Sequence, residues 1–377
     1  MSRIRSIHIH NFKFFDGQDA IDLKQDGKHL LLYGENGSGK SSVYWALYTL
    51  FEAALKDTPD IEKYFKHADD HEESLINIHA HGMSDLRTRK KHYDSFIKVQ
   101  TTDNPPKDYE VSLLNTNISG DAAATEINQA SDFLNYKVLY KFQDFWNGQP
   151  IDLAKIFEGY VLPYLNFTSF ELYRNGAKVS RSNASEMWEE IKKGPGTTTN
   201  AKGDTIQVYK YSNENKQFDK FAKHFDDQFK DLIDFINVNA PIMLKKLGYD
   251  IDFELKYHEH THRKRDKNFD WSSFKIDLKI TSYLGKVVNI HRPQSFLNEA
   301  KITAIAIAIR LTILRKRINE QAPDVMKFIV LDDVMISLDM NNRDKLIDFL
   351  LDKSNKFTED YQLFFLTHDK NLFDFIT

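Results

Sequence analysis

The sequence predicts an α/β fold: a mixed β-sheet core flanked by helices, with an inserted α+β and helical lobe. Three observations carry that prediction. Leu30–Tyr33 is a short apolar run that passes through a glycine-rich loop into a helical pattern. Phe328–Leu331 is a second apolar run, and it ends in the acidic pair Asp332-Asp333. Leu363–Leu366 is a third, with helical stretches between the runs. Short continuous apolar strands alternating with helices belong to a sheet covered on both faces.

The elements follow in order. Ile4, Ile7 and Ile9 alternate with Arg5, Ser6 and His8 as in a half-buried strand, and Gly17 marks a turn. Val43, Ala46, Leu47 and Leu50 sit at helical spacing, so Ser41–Leu55 reads as a helix. Residues 56–130 are polar, with strand candidates at Ser95–Thr101 and Tyr109–Leu114. Residues 131–165 read as helical, and 183–193 as a further short helix. A weak boundary follows at Lys193–Asp204, rich in Gly, Thr and Asn. Phe218, Phe221, Phe225, Phe229, Leu232 and Phe235 make one face of a helix over 215–246, a stripe expected to pack within its own domain. Strands are expected at Ile251–Tyr257 and Phe274–Ser282, and helices at Asn298–Ile318 and Asn342–Leu351.

Composition narrows the classes of function. With 41% hydrophobic and 28% charged residues, 377 residues can build a large globular core. The most apolar stretch, Ile302–Leu314, is too short to cross a bilayer and contains Arg310, so no membrane partner is expected. With no cysteine, disulfides and thiolate metal sites are excluded, and a cytoplasmic location is expected. The net charge of −4 gives no general attraction to nucleic acid. Local clusters at Arg87–Lys91, Arg263–Lys267 and Arg315–Arg317 could still form a patch, although solvated loops and helix faces also explain them. His258, His260 and His262 would share one face of a strand, but no carboxylate pattern completes a metal site.

The strongest chemical signal is Gly34-Glu35-Asn36-Gly37-Ser38-Gly39-Lys40-Ser41, lying between a buried strand and a helix. Glycines there let backbone N–H groups close around phosphates, which a side chain would block. Lys40 brings a positive charge, the Ser41 hydroxyl is a hard oxygen suited to Mg2+, and the helix N-terminus adds partial positive charge. Ser42 extends the same loop. Nearly 300 residues later, Phe328–Leu331 delivers Asp332 toward a metal and Asp333 toward an attacking water. ATP and Mg2+ are therefore the expected ligands, with Lys40 and Asp333 acting on the reaction.

Two further motifs complete the set. Ser337-Leu338-Asp339 follows the acidic pair, and Leu366-Thr367-His368 closes the third apolar run. Together with Ile9-His10-Asn11-Phe12-Lys13-Phe14 and Tyr33–Ser42, these resemble ABC-type ATPase heads, and within them the SMC, RecF and RecN branch. The likeness covers roughly residues 1–55 and 290–377. It implies a P-loop NTPase of ABC or SMC-head type, with head halves 1–55 and 290–377 around an inserted region, 56–289; that region shows no sustained heptad repeat, so no long coiled coil is expected in it. It further implies that Ser337, Leu338 and Asp339 form a D-loop and that His368 is a switch histidine. It makes Gln143 a candidate sensor of the γ-phosphate and metal, although a surface glutamine fits equally well. Asn298, Glu299 and Ala300 take the place of the signature that caps a partner's ATP, and Asn298 also suits a simple helix N-cap.

The resemblance implies a homodimer or higher oligomer with ATP between the heads. The sequence ends nine residues beyond His368, where members of that branch usually continue, so either a truncated chain or an edge completed by a partner is expected. Asp333 replaces the usual Glu, so slow turnover is expected. The compact insertion is similar to the small SMC-like ATPases of bacterial anti-phage systems such as Septu and Lamassu. That implies a role in defence or repair with DNA and with a separate nuclease or effector, since no nuclease motif is present. The alternative is a nucleotide-dependent assembly switch with negligible turnover and no direct DNA binding.

Overall fold

A computed structural model describes residues 2–376 except 81, 85–90, 143, 144, 146, 147, 175, 176, 200, 201, 203, 204, 208–212, 265–268, 319–323, 335–337 and 339. It divides into two compact units. The first comprises Met1–Leu139 and Leu314–Thr377, the second Tyr140–Ile313.

The first unit is built on two sheets. One is parallel, with strand order Leu30–Tyr33, Gln362–Thr367, Phe328–Asp332, Asp132–Asn135. Its middle strands are buried along their whole length, which explains their unbroken apolar sequences. The register sets Tyr33 beside Thr367, Leu366 beside Asp332, and Asp332 beside Asn135. All four strands therefore reach the same carboxyl edge, where sheets of this kind bind ligands. The other sheet is antiparallel, ordered Gln18–Asp22, Ile4–His10, Phe96–Thr101, Asp108–Ser112.

The Gln362 side chain ties the two sheets. Gln362 is fully buried, its Oε1 accepting from the Ile4 N–H at 2.7 Å. Its Nε2 donates to the carbonyls of Ile4 at 2.9 Å and Lys28 at 2.8 Å. The helix Lys40–Glu52 buries Val43, Ala46, Leu47, Leu50 and Phe51, and Phe51 meets Phe328 at 5.2 Å between ring centroids.

The second unit packs the helix Asn213–Lys246 against the sheet Ile251–His258, Lys275–Tyr283, Lys286–Ile290. Phe218, Phe221, Phe225, Phe229 and Leu232 are buried within this unit, as the stripe leads one to expect. Phe225 stacks on Trp188, and Phe229 lies against Phe157 and Phe274.

The structure corrects two expectations. Residues 131–165 are not continuously helical: Asp132–Asn135 is a strand, followed by the short helices Tyr136–Tyr140 and Ala154–Tyr160. Pairing with Phe328–Asp332 overrides local preference there. A helix at Ala122–Ala130, started by the Asp121 carboxylate accepting from the Ala124 N–H, falls where only polar chain was expected. Phe96–Thr101 and Asp108–Ser112 extend the sheet of Ile4–His10, so residues up to Leu139 belong to the first unit.

Candidate functional site

The phosphate loop lies between the end of Leu30–Tyr33 and the start of Lys40–Glu52. Gly37 and Gly39 have φ of 86° and 89°, a region that favours glycine. The Gly34 N–H donates to the Thr367 carbonyl at 3.2 Å, tying the loop to the neighbouring strand. Glu35, Asn36, Gly37 and Ser38 are exposed. Lys40 is 5% exposed, and its Nζ donates to the carbonyls of Gly34 at 2.6 Å and Glu35 at 2.8 Å. The ammonium is thus held inside the loop by groups that a phosphate oxygen can replace.

Ser41 Oγ donates to Asp332 Oδ1 at 3.2 Å, so a hydroxyl and a carboxylate stand together at the helix N-terminus. Burial pushes the Asp332 carboxyl up to about 6; the Ser41 hydroxyl opposes the shift, the Asp333 charge adds to it, and the Lys40 ammonium opposes it. Two hard oxygen groups beside a phosphate loop fit Mg2+. Asp333 has φ 50°, a left-handed conformation that Asp tolerates. Its Oδ1 lies 2.8 Å from His368 Nδ1 and accepts from the His368 N–H at 3.3 Å. A cleft of about 70 Å³ here is lined in part by Asp333, Arg343, Thr367, His368 and Asp369.

The first unit thus brings together Gly34–Ser41, Asp332, Asp333 and His368. Ser42 is 6% exposed, and its Oγ accepts from the Phe14 N–H at 3.3 Å. Asn298, Glu299 and Ala300 belong to the second unit, where Asn298 Oδ1 accepts from the Lys301 N–H at 3.2 Å as a helix cap. Glu299 is exposed and Ala300 buried. Gln143, Ser337 and Asp339 lie outside the described residues; Leu338 is buried, and its carbonyl accepts from Arg343 Nε at 2.9 Å.

Sequence reasoning missed Phe14. The ring is 56% exposed and rests on the loop, so that a Cβ added at Gly39 would lie 2.4 Å from Phe14 Cδ1. Phe12, two residues earlier, is fully buried, and that alternation was the available signal. The other candidate sites look different in three dimensions. Residues 87–90 and 265–267 of two basic clusters lie outside the described residues. In the third, Arg315 donates to the Asn355 carbonyl and Arg317 to that of Ser131. Each histidine of the trio faces its own carboxylate: His258 with Asp277, His260 with Asp226, His262 with Asp219. No cluster of three or more His, Cys, Asp or Glu side chains able to hold a metal ion is found among the described residues.

A strand, a phosphate loop and a helix beside an acid-tipped parallel strand define a P-loop ATPase domain. The chain belongs to the AAA ATPase domain family, whose model matches residues 3–372. Among solved structures it is similar to the Smc head domain with an extended coiled coil bound to the C-terminal domain of ScpA, from Pyrococcus furiosus. That match has 13% identity, covers 100% of this chain and 92% of the other, and gives a TM-score of 0.50. The Smc head domain with a coiled coil and joint from Pyrococcus yayanosii matches at 10% identity, covering 100% of this chain and 94% of the other, with a TM-score of 0.50. The chain therefore has the fold of an Smc-like ATPase head. No curated protein matches it. Among the described residues no helix is long and apolar enough to cross a membrane.

Proposed function

We propose that this chain binds and hydrolyses ATP and pairs with a second copy when ATP is bound. The observation that carries the reading is the meeting of Ser41 with Asp332 at one end of the parallel sheet, beside the Asp333–His368 pair. Bound there, Mg2+ would supply positive charge to the β- and γ-phosphate oxygens, held by Ser41 and Asp332. Lys40 exchanges its two carbonyl partners for phosphate oxygens. The exposed face of Phe14 stacks on the base. Asp333 accepts the proton of the attacking water as the new P–O bond forms and the bond to the β-phosphate breaks. His368 holds that carboxylate through Nδ1. The exposed Asn298 and Glu299 face a second copy in the ATP-bound state.

The likeness to Smc heads, one of them bound to the C-terminal domain of ScpA, supports a separate protein partner. For this compact head, that partner is an effector such as the nuclease of an anti-phage or repair system, acting with DNA. A nucleotide-dependent assembly switch without turnover is the competing reading.

The decisive experiment is the solution mass of Asp333→Asn with ATP-Mg2+ and with ADP, alongside phosphate release by the unaltered chain. A doubled mass with ATP alone, together with steady phosphate release, supports the proposal. An unchanged mass in both nucleotides removes pairing through ATP, and absent phosphate release favours the switch. Salt-dependent binding to DNA tests the remaining part, since phosphate contacts weaken steeply as salt rises.

A further inference from the structure

We propose that Arg343 is the positioning residue of the Asp333–His368 pair, clamping the loop after Phe328–Asp332 to the loop after Gln362–Thr367. Arg343 lies on the helix Met340–Leu351 and belongs to none of the motifs read from the sequence. Its Nε donates to the Leu338 carbonyl at 2.9 Å, and its Nη1 pairs with Asp369 Oδ2 at 2.6 Å. One planar guanidinium thus holds two loops at a fixed angle, which a lysine ammonium cannot reproduce.

Asp369 is fixed from other directions as well. Its N–H donates to Thr367 Oγ1 at 3.0 Å, and its Oδ1 accepts from the Asn371 N–H at 2.9 Å. His368 is the residue between Thr367 and Asp369, so both of its neighbours are tethered. Across from it, the Asp333 N–H donates to the Leu366 carbonyl at 3.0 Å. The contacts run from Asp333 to His368, along the chain to Asp369, and across Arg343 to the Leu338 carbonyl. Asp333, Arg343, His368 and Asp369 line one cleft.

The side chains of Arg343 and Asp369 are 21% and 24% exposed, so water is only partly available to replace either partner. Removing the guanidinium takes a shared partner from the Leu338 carbonyl and from Asp369 Oδ2 together. Both loops then gain freedom, and the Nδ1 contact between His368 and Asp333 is the first to suffer. Arg343 acts through these residues and does not itself touch the reacting atoms.

The inference rests on the reading of Asp333 as the base, and its test is chosen to stand apart from that reading. The full chain, labelled with 15N at histidine and free of nucleotide, is compared with Arg343→Gln, Asp369→Asn and the double variant. His368 is assigned from the resonances lost in His368→Gln. Asn at 369 can still accept from the Asn371 N–H, so that variant removes the ion pair alone. Each single variant is expected to move the His368 Nδ1 resonance, with no further movement in the double.

Turnover of ATP should fall about ten- to a hundredfold in each single variant, the scale of a misplaced reacting group. It should fall no further in the double, with KM within about twofold throughout because the phosphate loop is untouched. Arg343→Lys should recover only a minor part. Unmoved His368 resonances in both single variants overturn the proposal, as do losses that multiply in the double or a KM that rises in step with them. An unaltered chain that releases no phosphate overturns the hydrolysis reading, and the His368 resonance then decides the positioning role by itself.

Discussion

Ser41 and Asp332 lie 291 positions apart in the chain, and a hydrogen bond of 3.2 Å from Oγ to Oδ1 joins them. One hydroxyl links the start of the phosphate-loop helix to the end of an inner strand, and it does so at a carboxylate that burial disfavours as an anion.

That carboxylate weighs against folding. Its pKa rises from 3.8 to about 6, so the folded state binds the proton more tightly than the unfolded state does. The stabilising contribution is complete below pH 4 and is lost as pH rises to 6 and beyond. Asp332→Asn should therefore stabilise the nucleotide-free chain at pH 8 by up to about 3 kcal/mol. The gain should vanish near pH 4. Urea unfolding at the two pH values checks this, and an equal effect at both would contradict the burial argument.

Phe14 gives a second prediction. Stacking of a base on an exposed aromatic ring contributes roughly 1–3 kcal/mol. Phe14→Ala should weaken ATP binding by about five- to a hundredfold. It should leave inorganic triphosphate binding unchanged, since the loop glycines and Lys40 are untouched. Calorimetric titration with both ligands separates a base contact from general damage to the loop.

The Gln362 bridge gives a third. Gln362→Leu removes a partner of the buried Ile4 N–H and carbonyl and of the part-buried Lys28 carbonyl. Each buried group left unpaired costs about 1–3 kcal/mol, so a loss of about 2 kcal/mol or more is expected. Gln362→Glu should be worse, because a carboxylate oxygen would then face two carbonyl oxygens. Denaturant midpoints for the two variants test the order.

In the second unit, Asp226 is 7% exposed and accepts from Tyr257 Oη at 2.5 Å, with His260 Nδ1 at 3.0 Å. Burial and the Asp226 charge hold the Tyr257 hydroxyl far above its usual range. Tyr257→Phe should cost about 1 kcal/mol, and Asp226→Ala about 2–5 kcal/mol because it leaves two buried donors unpaired. A strong chelator should leave the melting temperature unchanged, as expected where three histidines each face a separate carboxylate. A large drop on chelation would restore the metal reading of that trio.

Much of the candidate site is legible in sequence because its chemistry is local. Gly34–Ser41 needs its glycines in a row, and Asp332-Asp333 announces itself by ending an apolar run. His368 follows another such run. Features set by which strands become neighbours could not be read that way. Asp132–Asn135 looked like part of a helix because its partner is almost two hundred positions away. Gln362 looked like an ordinary polar residue before a strand, and its role depends on where Ile4 and Lys28 lie in space. Phe14 stood only as the end of the Ile9–Phe14 motif, because its place against Gly39 depends on the fold. Arg343 carries no motif at all, because its partners come from two separate loops.

The strand order has a consequence for the making of the protein. Gln362–Thr367 is the neighbour of Leu30–Tyr33, so the strand that carries the phosphate loop has no parallel partner until residue 367 has been translated. At about 5–20 residues per second, the growing chain carries that loop unpaired for roughly 15 to 60 seconds. A nascent chain shorter than this can be full of folded helices and hairpins and still have nowhere to hold a nucleotide.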